Sequence, residues 1–243
     1  MLNKSLLLEV ENLNVSYGKH QVIKDLSCTL PENAMIGILG ANGSGKSTFL
    51  KAIMQLIPAS GKVLFWSKEL KQVRHKIAYL PQRTSVDWDF PATVLDVVLM
   101  GLYKEIGWFG SVQKKHKEKA MLYLEKVKMA DFASKHISEL SGGQQQRVFL
   151  ARAFAQEADL FLLDEPLVGV DATTENIIVD LLKELQKNGK SVMMVHHQIE
   201  DFKEYFDYLL MLKDGKKVIA GETEAVFSSE NIYKVYGFKP ILT

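Results

Sequence analysis

Cysteine is nearly missing: Cys28 is the only one among 243 residues. A lone thiol excludes an intramolecular disulfide framework and fits a reducing compartment. As a small apolar residue, Cys28 reads as buried rather than reactive. A surplus of one charge is lacking too. Lys and Arg number 30 against 29 Asp and Glu, a formal net charge of +1, which argues against an extended nucleic-acid surface. Long hydrophobic runs are also absent. Nowhere do about 18 uncharged apolar residues follow one another, so no segment reads as spanning a bilayer. The apolar stretch before Glu9 is too short for a signal peptide. A role at a membrane is therefore expected to be played from the water side, through a partner. Internal repeats and low-complexity segments are lacking as well. What is present is 47% hydrophobic residues, ample for one large domain or one domain with an inserted subdomain.

The order of patterns points to an α/β chain. From Leu6 to Leu30 short alternating strands are expected, with Gly18-Lys19-His20 as a turn. Ala34–Leu39 is a continuous apolar run ending in glycines, as for a buried central strand. From Lys46 the period becomes helical, with Phe49, Leu50, Ile53, Met54 and Ile57 on one face and Pro58 as its stop. Short strands follow near Lys62–Phe65 and Ile77–Leu80. Between about 91 and 154 the pattern is mainly helical: Thr93–Gly101, Gln113–Val127, and a helix after Gly143. Buried-strand runs return at Leu160–Leu163 and Ser191–Val195, separated by a helix over Thr173–Gln186, a βαβ rhythm that implies a parallel sheet. A hairpin around Asp214-Gly215 and a weakly helical tail complete the chain.

The run Gly40-Ala41-Asn42-Gly43-Ser44-Gly45-Lys46-Ser47-Thr48 carries the first chemistry. It matches G-x-x-x-x-G-K-[ST], between a buried strand and an amphipathic helix. Glycines let consecutive backbone N–H groups curl toward phosphate oxygens, and the following helix adds its positive amino end. Lys46 is placed to reach the β- and γ-phosphates, and the Ser47 hydroxyl to take a position on Mg²⁺. This much reads as a P-loop nucleotide binder.

Two further runs extend the site. Leu160-Phe161-Leu162-Leu163-Asp164-Glu165 is an apolar strand ending in two carboxylates. Beside a P-loop, Asp164 is the expected Mg²⁺ holder, and Glu165 is placed to orient the attacking water. Leu140-Ser141-Gly142-Gly143-Gln144, continuing into Gln145-Gln146-Arg147-Val148, reads as a helix amino terminus with unhindered N–H groups, a second anion site. One phosphate is already cradled by Gly40–Ser47, so this second helix end makes sense if it serves a nucleotide held by another copy. A plain Ser-Gly-Gly turn is the alternative for the pentapeptide alone. His196-His197 lie at a strand end, where neighbours point to opposite faces and do not readily share a metal; either can be a packed or solvated side chain. His20, His75, His116 and His136 are scattered and read as surface residues.

In this order, the motifs resemble those of the ATP-binding-cassette (ABC) family over nearly the whole chain. The resemblance implies a P-loop NTPase ABC cassette with a mostly parallel sheet core, an antiparallel β subdomain and an inserted helical subdomain. Core and β subdomain are expected over about 1–90 and 155–243, and the helical subdomain over about 91–154. It further implies Walker A at Gly40–Thr48, a Q-loop at Gln82 that also reaches Mg²⁺, the signature at Leu140–Gln144, Walker B at Leu160–Asp164, catalytic Glu165, a D-loop at Val170-Asp171, and Tyr17 stacking on adenine. The family shows His-Asp at the strand end, which aligns with His197-Gln198 and selects His197 as the γ-phosphate contact; Gln198 departs from that pattern. Without the resemblance, Tyr17 reads as an ordinary strand residue and Gln82 as a loop amide.

The stretch Gln82–Pro91, with Asp87-Trp88-Asp89-Phe90-Pro91, is similar to the ATPases of bacterial manganese, iron and zinc importers. So are Thr93–Gly101, Gly107-Trp108-Phe109 and Glu165–Glu175, and Asp87–Pro91 resembles the manganese/iron branch more than the zinc branch. Trp88, Phe90, Trp108 and Phe109 are available either to dock a partner helix or to pack the helical subdomain. Asp87 and Asp89 are not read as ligands of a transported metal. The resemblance implies two copies closing head to tail around two ATP–Mg²⁺, a separate transmembrane permease, an extracytoplasmic metal-binding protein as third component, no nucleic acid, and residence on the cytoplasmic face of the membrane. Zinc or iron import stands as the alternative. Two other classes are weighed against it. A non-transport ABC ATPase would usually show coiled-coil inserts or two cassettes, and a regulatory module without turnover would not need Glu165 and His197.

Overall fold

The computed structural model describes residues 5–86, 88, 90–107, 109–196 and 202–238. The strands among them are β1 (Leu6–Tyr17), β2 (His20–Pro31), β3 (Met35–Leu39), β4 (Ser60–Phe65), β5 (Ile77–Leu80), β6 (Leu160–Asp164), β7 (Ser191–Val195), β8 (Tyr208–Lys213) and β9 (Lys216–Glu222). The longer helices are α1 (Lys46–Ile53), α2 (Val94–Leu99), α3 (Lys114–Lys126), α4 (Gly142–Ala155), α5 (Ala172–Lys187) and α6 (Ser229–Tyr236). The chain divides into two compact units, one of Met1–Arg74 with Lys183–Thr243, the other of His75–Leu182. No helix among the described residues is long and apolar enough to cross a membrane.

In the first unit, β1 pairs antiparallel with β2 on one side and β4 on the other. The expected short strands are in fact two of 12 residues each. Bulges explain the difference: the β1–β2 register shifts between Val10 and Leu13, and Asn12 and Asp25 take left-handed backbone angles. Each bulge re-phases the alternation, so Val10, Leu13 and Val15 stay on the buried side. Cys28 is buried on β2, and that burial pushes its thiol up to about 12, against a smaller opposing pull from Lys217.

The same unit holds the strand order β7-β3-β8-β9. β3 is parallel to both β7 and β8, and β9 returns antiparallel beside β8. β3 and β7 are buried along their whole length, which is why they read as unbroken apolar runs. Asp214 and Gly215, with φ 50 and 78, make the two-residue turn between β8 and β9. α1 stops at Ile53, well short of Pro58. Gln55 adopts φ 53 and Leu56 N–H donates back to Lys51 O at 2.9 Å, a left-handed cap that closes the helix and takes Ile57 off the expected face.

In the second unit, β5 and β6 run parallel, from Ile77 opposite Leu160 to Leu80 opposite Leu163. α2, α3 and α4 pack on one another through Val94, Val97, Val98, Ala120, Leu124 and Val148, all buried. α2 passes into a tighter turn over Met100–Leu102 instead of continuing as one helix to Gly101. α3 lies within one residue of its expected ends, and its start corrects the reading of His116. That side chain is 3% exposed, because its Nδ1 turns back to accept the Gln113 N–H at 3.0 Å and caps the helix. The helical stretch 91–154 lies inside this unit, together with β5, β6 and the first part of α5.

Candidate nucleotide site

In the first unit the phosphate loop joins β3 to α1. Gly40 has no room for a side chain: a Cβ there would meet Leu212 O and Ser44 Oγ, each at 2.4 Å. Its N–H donates to the Tyr236 hydroxyl of α6 at 3.1 Å, a phenol pushed up to about 12 by burial. Below the loop, Gly215 N–H donates to Ser44 O at 3.2 Å and Lys24 N–H to Gly215 O at 2.9 Å. The loop therefore rests on β2 and on the β8–β9 turn. Lys46 is 5% exposed, and its Nζ donates to Gly40 O at 2.7 Å and Ala41 O at 3.0 Å.

The chemistry of the loop suits a polyanion. No side chain caps α1 at Gly45, and no acidic residue lies in its first turn, which leaves the positive helix end to a ligand. Ser44 Oγ is buried without a hydrogen-bond partner, a polar atom that a ligand oxygen would satisfy. Tyr17 is exposed at the end of β1, opposite His20.

In the second unit, β6 ends at Asp164, fully buried. Glu165 follows with φ 55, a left-handed conformation that costs a non-glycine residue about 1–3 kcal/mol and has to be held by its surroundings. Gln82 Nε2 donates to Glu165 Oε2 at 2.8 Å, and Gln146 Nε2 to Glu165 O at 3.4 Å. The Asp164 charge reaches Tyr79, whose hydroxyl is driven up first by burial and then by that carboxylate.

The signature run also belongs to this unit. α4 starts at Gly142 rather than after Gly143, because Ser141 caps it. Ser141 Oγ accepts from Gln144 N–H at 3.4 Å, and Gln144 Oε1 accepts from Ser141 N–H at 2.9 Å, a reciprocal box. A Cβ on Gly142 would meet the Arg83 guanidinium at 2.7 Å, and one on Gly143 would meet Gly169 O at 2.5 Å. Asp171 accepts Thr174 N–H at 2.9 Å and Thr174 Oγ1–H at 2.8 Å. Those two bonds hold its carboxyl below the usual range and fix the start of α5.

Each unit thus brings part of the expected set together: Gly40–Thr48 and Tyr17 in the first, Gln82, Asp164, Glu165, Ser141–Gln144 and Asp171 in the second. His197 and Gln198 lie outside the described residues, as do Asp87, Asp89 and Trp108. His196 is buried among Phe202, Tyr205 and Phe206, with ring centroids 5.8, 5.8 and 6.0 Å away. Trp88 packs on Phe149 at 4.6 Å, the packing alternative for that residue, while Phe109 is fully exposed. Among the described residues no group of three or more His, Cys, Asp and Glu side chains is arranged to hold a metal ion. The reading from sequence gave no role to Tyr236, nor to Arg83, Gln145 and Gln146 within the runs it quoted, though each contacts an expected residue.

Comparison with known proteins identifies the family. Residues 23–168 match the family described as ABC transporter. The chain is 50% identical to the manganese transport system ATP-binding protein MntB of Bacillus subtilis, covering 95% of this chain and 92% of that one. It is 48% identical to the zinc transport system ATP-binding protein TroB of Treponema pallidum, covering 95% and 86%. Among solved structures it resembles the ATP-binding cassette MJ0796 in a dimeric post-hydrolysis state with ADP and Pi. The TM-score is 0.76 at 28% identity, over 89% of this chain and 98% of that one. The chain belongs to the ABC transporter family, as one of its ATP-binding, ATP-hydrolysing cassettes.

Proposed function

We propose that this ATPase powers import of a divalent metal ion, manganese, through a separate transmembrane permease. The cargo rests on the relation to a manganese transport ATP-binding protein and on the run Asp87–Pro91. Zinc is the second reading, favoured by the relative from a zinc system. The chain sits on the cytoplasmic face through the permease, and an extracytoplasmic metal-binding protein delivers the ion. Residues 91–154 serve as the helical subdomain, with Phe109 among the side chains that meet the permease.

Two copies close head to tail around two ATP. Gly40–Thr48 of one copy and Ser141–Gln144 of the other grip each nucleotide, and Tyr17 stacks on its adenine. Lys46 and His197 stabilise charge on the transferred phosphoryl group, and Asp171 lines the contact between copies. Ser47, Asp164 and Gln82 would hold Mg²⁺ through the hard oxygen donors it takes, and the ion would supply charge neutralisation at the phosphates. Glu165 orients the attacking water, and Gln82 carries the state of that site toward the permease.

The observation that carries this reading is the Gln82–Glu165 bond of 2.8 Å beside buried Asp164. Gln82 is neutral, so the bond orients the carboxylate without cancelling its charge. Glu165→Gln is expected to lower phosphate release by about a hundredfold or more while still binding ATP and running as a dimer on gel filtration with ATP. Wild-type turnover in that variant, or a monomer with ATP, would overturn the proposal. Lys46→Ala should lose ATP binding itself.

A further inference from the structure

Two adjacent amides on α4 are buried, Gln145 at 4% and Gln146 at 1% exposure. Buried amides are tolerated only when hydrogen-bonded, and both are. Gln145 Oε1 accepts from Arg83 Nη2 at 2.9 Å and Arg83 Nε at 3.3 Å, while its Nε2 donates to Ile137 O at 3.1 Å. Gln146 Nε2 reaches Glu165 O, and Gln82, next to Arg83 in sequence, holds the Glu165 carboxylate. Two consecutive residues, 82 and 83, are thereby joined to two others, 145 and 146, with Glu165 closing the ring.

Two more contacts stiffen the arrangement. The Arg83 guanidinium lies 2.7 Å from where a Cβ on Gly142 would be, so it rests on the first residue of α4. The Trp88 indole N–H donates to Arg83 O at 3.0 Å, and its ring packs on Phe149 of the same helix. Glu165 needs such support, since its left-handed backbone is strained. A shift of Glu165 cannot leave the start of α4 where it was without breaking one of these bonds.

We propose that Arg83, Gln145 and Gln146 are positioning residues that bind the catalytic carboxylate and the start of α4 into one frame. Hydrolysis of a copy's own nucleotide is then felt by the phosphate grip it lends to the other copy. This rests on the shared-site reading given above.

The test is a double-mutant cycle on the purified protein, with phosphate release followed against ATP concentration. Arg83→Met and Gln145→Leu are each expected to lower kcat by about tenfold with little change in KM for ATP, and the double variant to lose no more than the worse single. Arg83→Lys should behave like Arg83→Met, because one ammonium cannot replace the two-pronged bond. Gln146→Leu should lower kcat in the same way. The proposal is overturned if the double variant loses the product of the two single effects, if Arg83→Lys works like wild type, or if thermal midpoints fall in step with kcat. Glu165→Gln run in parallel separates the two levels: an ATP-dependent dimer there with independent effects in the cycle sinks only the coupling. A wild type without turnover, or a monomeric Glu165→Gln with ATP, sinks both.

Discussion

Tyr236 shows what a single hydroxyl can do for a loop 196 positions away in sequence. It accepts the Gly40 N–H, fixing the residue from which the phosphate loop turns. Tyr236→Phe keeps the ring and deletes that acceptor, a loss of about 1 kcal/mol that corresponds to a roughly fivefold rise in KM for ATP. The same loss should lower the thermal midpoint by about 2–4 °C; steady-state kinetics beside a melting curve checks both. Gly40–Thr48 was legible because each residue type there has one job at one spacing. Tyr236 was not, because a tyrosine on a weakly patterned helix carries no sign of what its hydroxyl meets. His116 misled for a related reason. A histidine in a run of lysines reads as solvated, and only the turn back to Gln113 buries it.

At the scale of elements, helices with a regular apolar period were legible to about one residue, as α3 and α5 show. The end of α1 was not, since Gln55 takes a left-handed conformation without being Gly or Asn. β1 and β2 looked short because bulges interrupt their alternation. α2 has a reciprocal cap at its start. Thr93 Oγ1 donates to Asp96 Oδ2 at 2.6 Å and accepts from Asp96 N–H at 3.2 Å, and Thr93 N–H donates to Asp96 Oδ2 at 3.0 Å. Thr93→Ala is expected to cost about 1 kcal/mol of stability, measured by urea unfolding, with KM for ATP unchanged. A loss confined to KM would mean that the cap acts on the site rather than on the helix.

For the whole molecule, the family was legible from the order of its motifs. β5 and β6 share a unit with α2–α4, and no local period announces which distant strands will pair. Cargo is a property of the assembled transporter, so its test belongs at this scale. Deleting the gene should lower cellular manganese several-fold under manganese limitation, with zinc and iron unchanged, by elemental analysis. A selective fall in zinc would favour the second reading instead. Cys28 has a practical consequence here. With its only thiol buried and its pKa raised by that burial, the folded chain is expected to react slowly with thiol-directed probes. One cysteine placed at an exposed position such as Leu122, on α3, would then carry a spin or fluorescent reporter alone. The separation between two copies, with ATP and without it, becomes a single measurable distance.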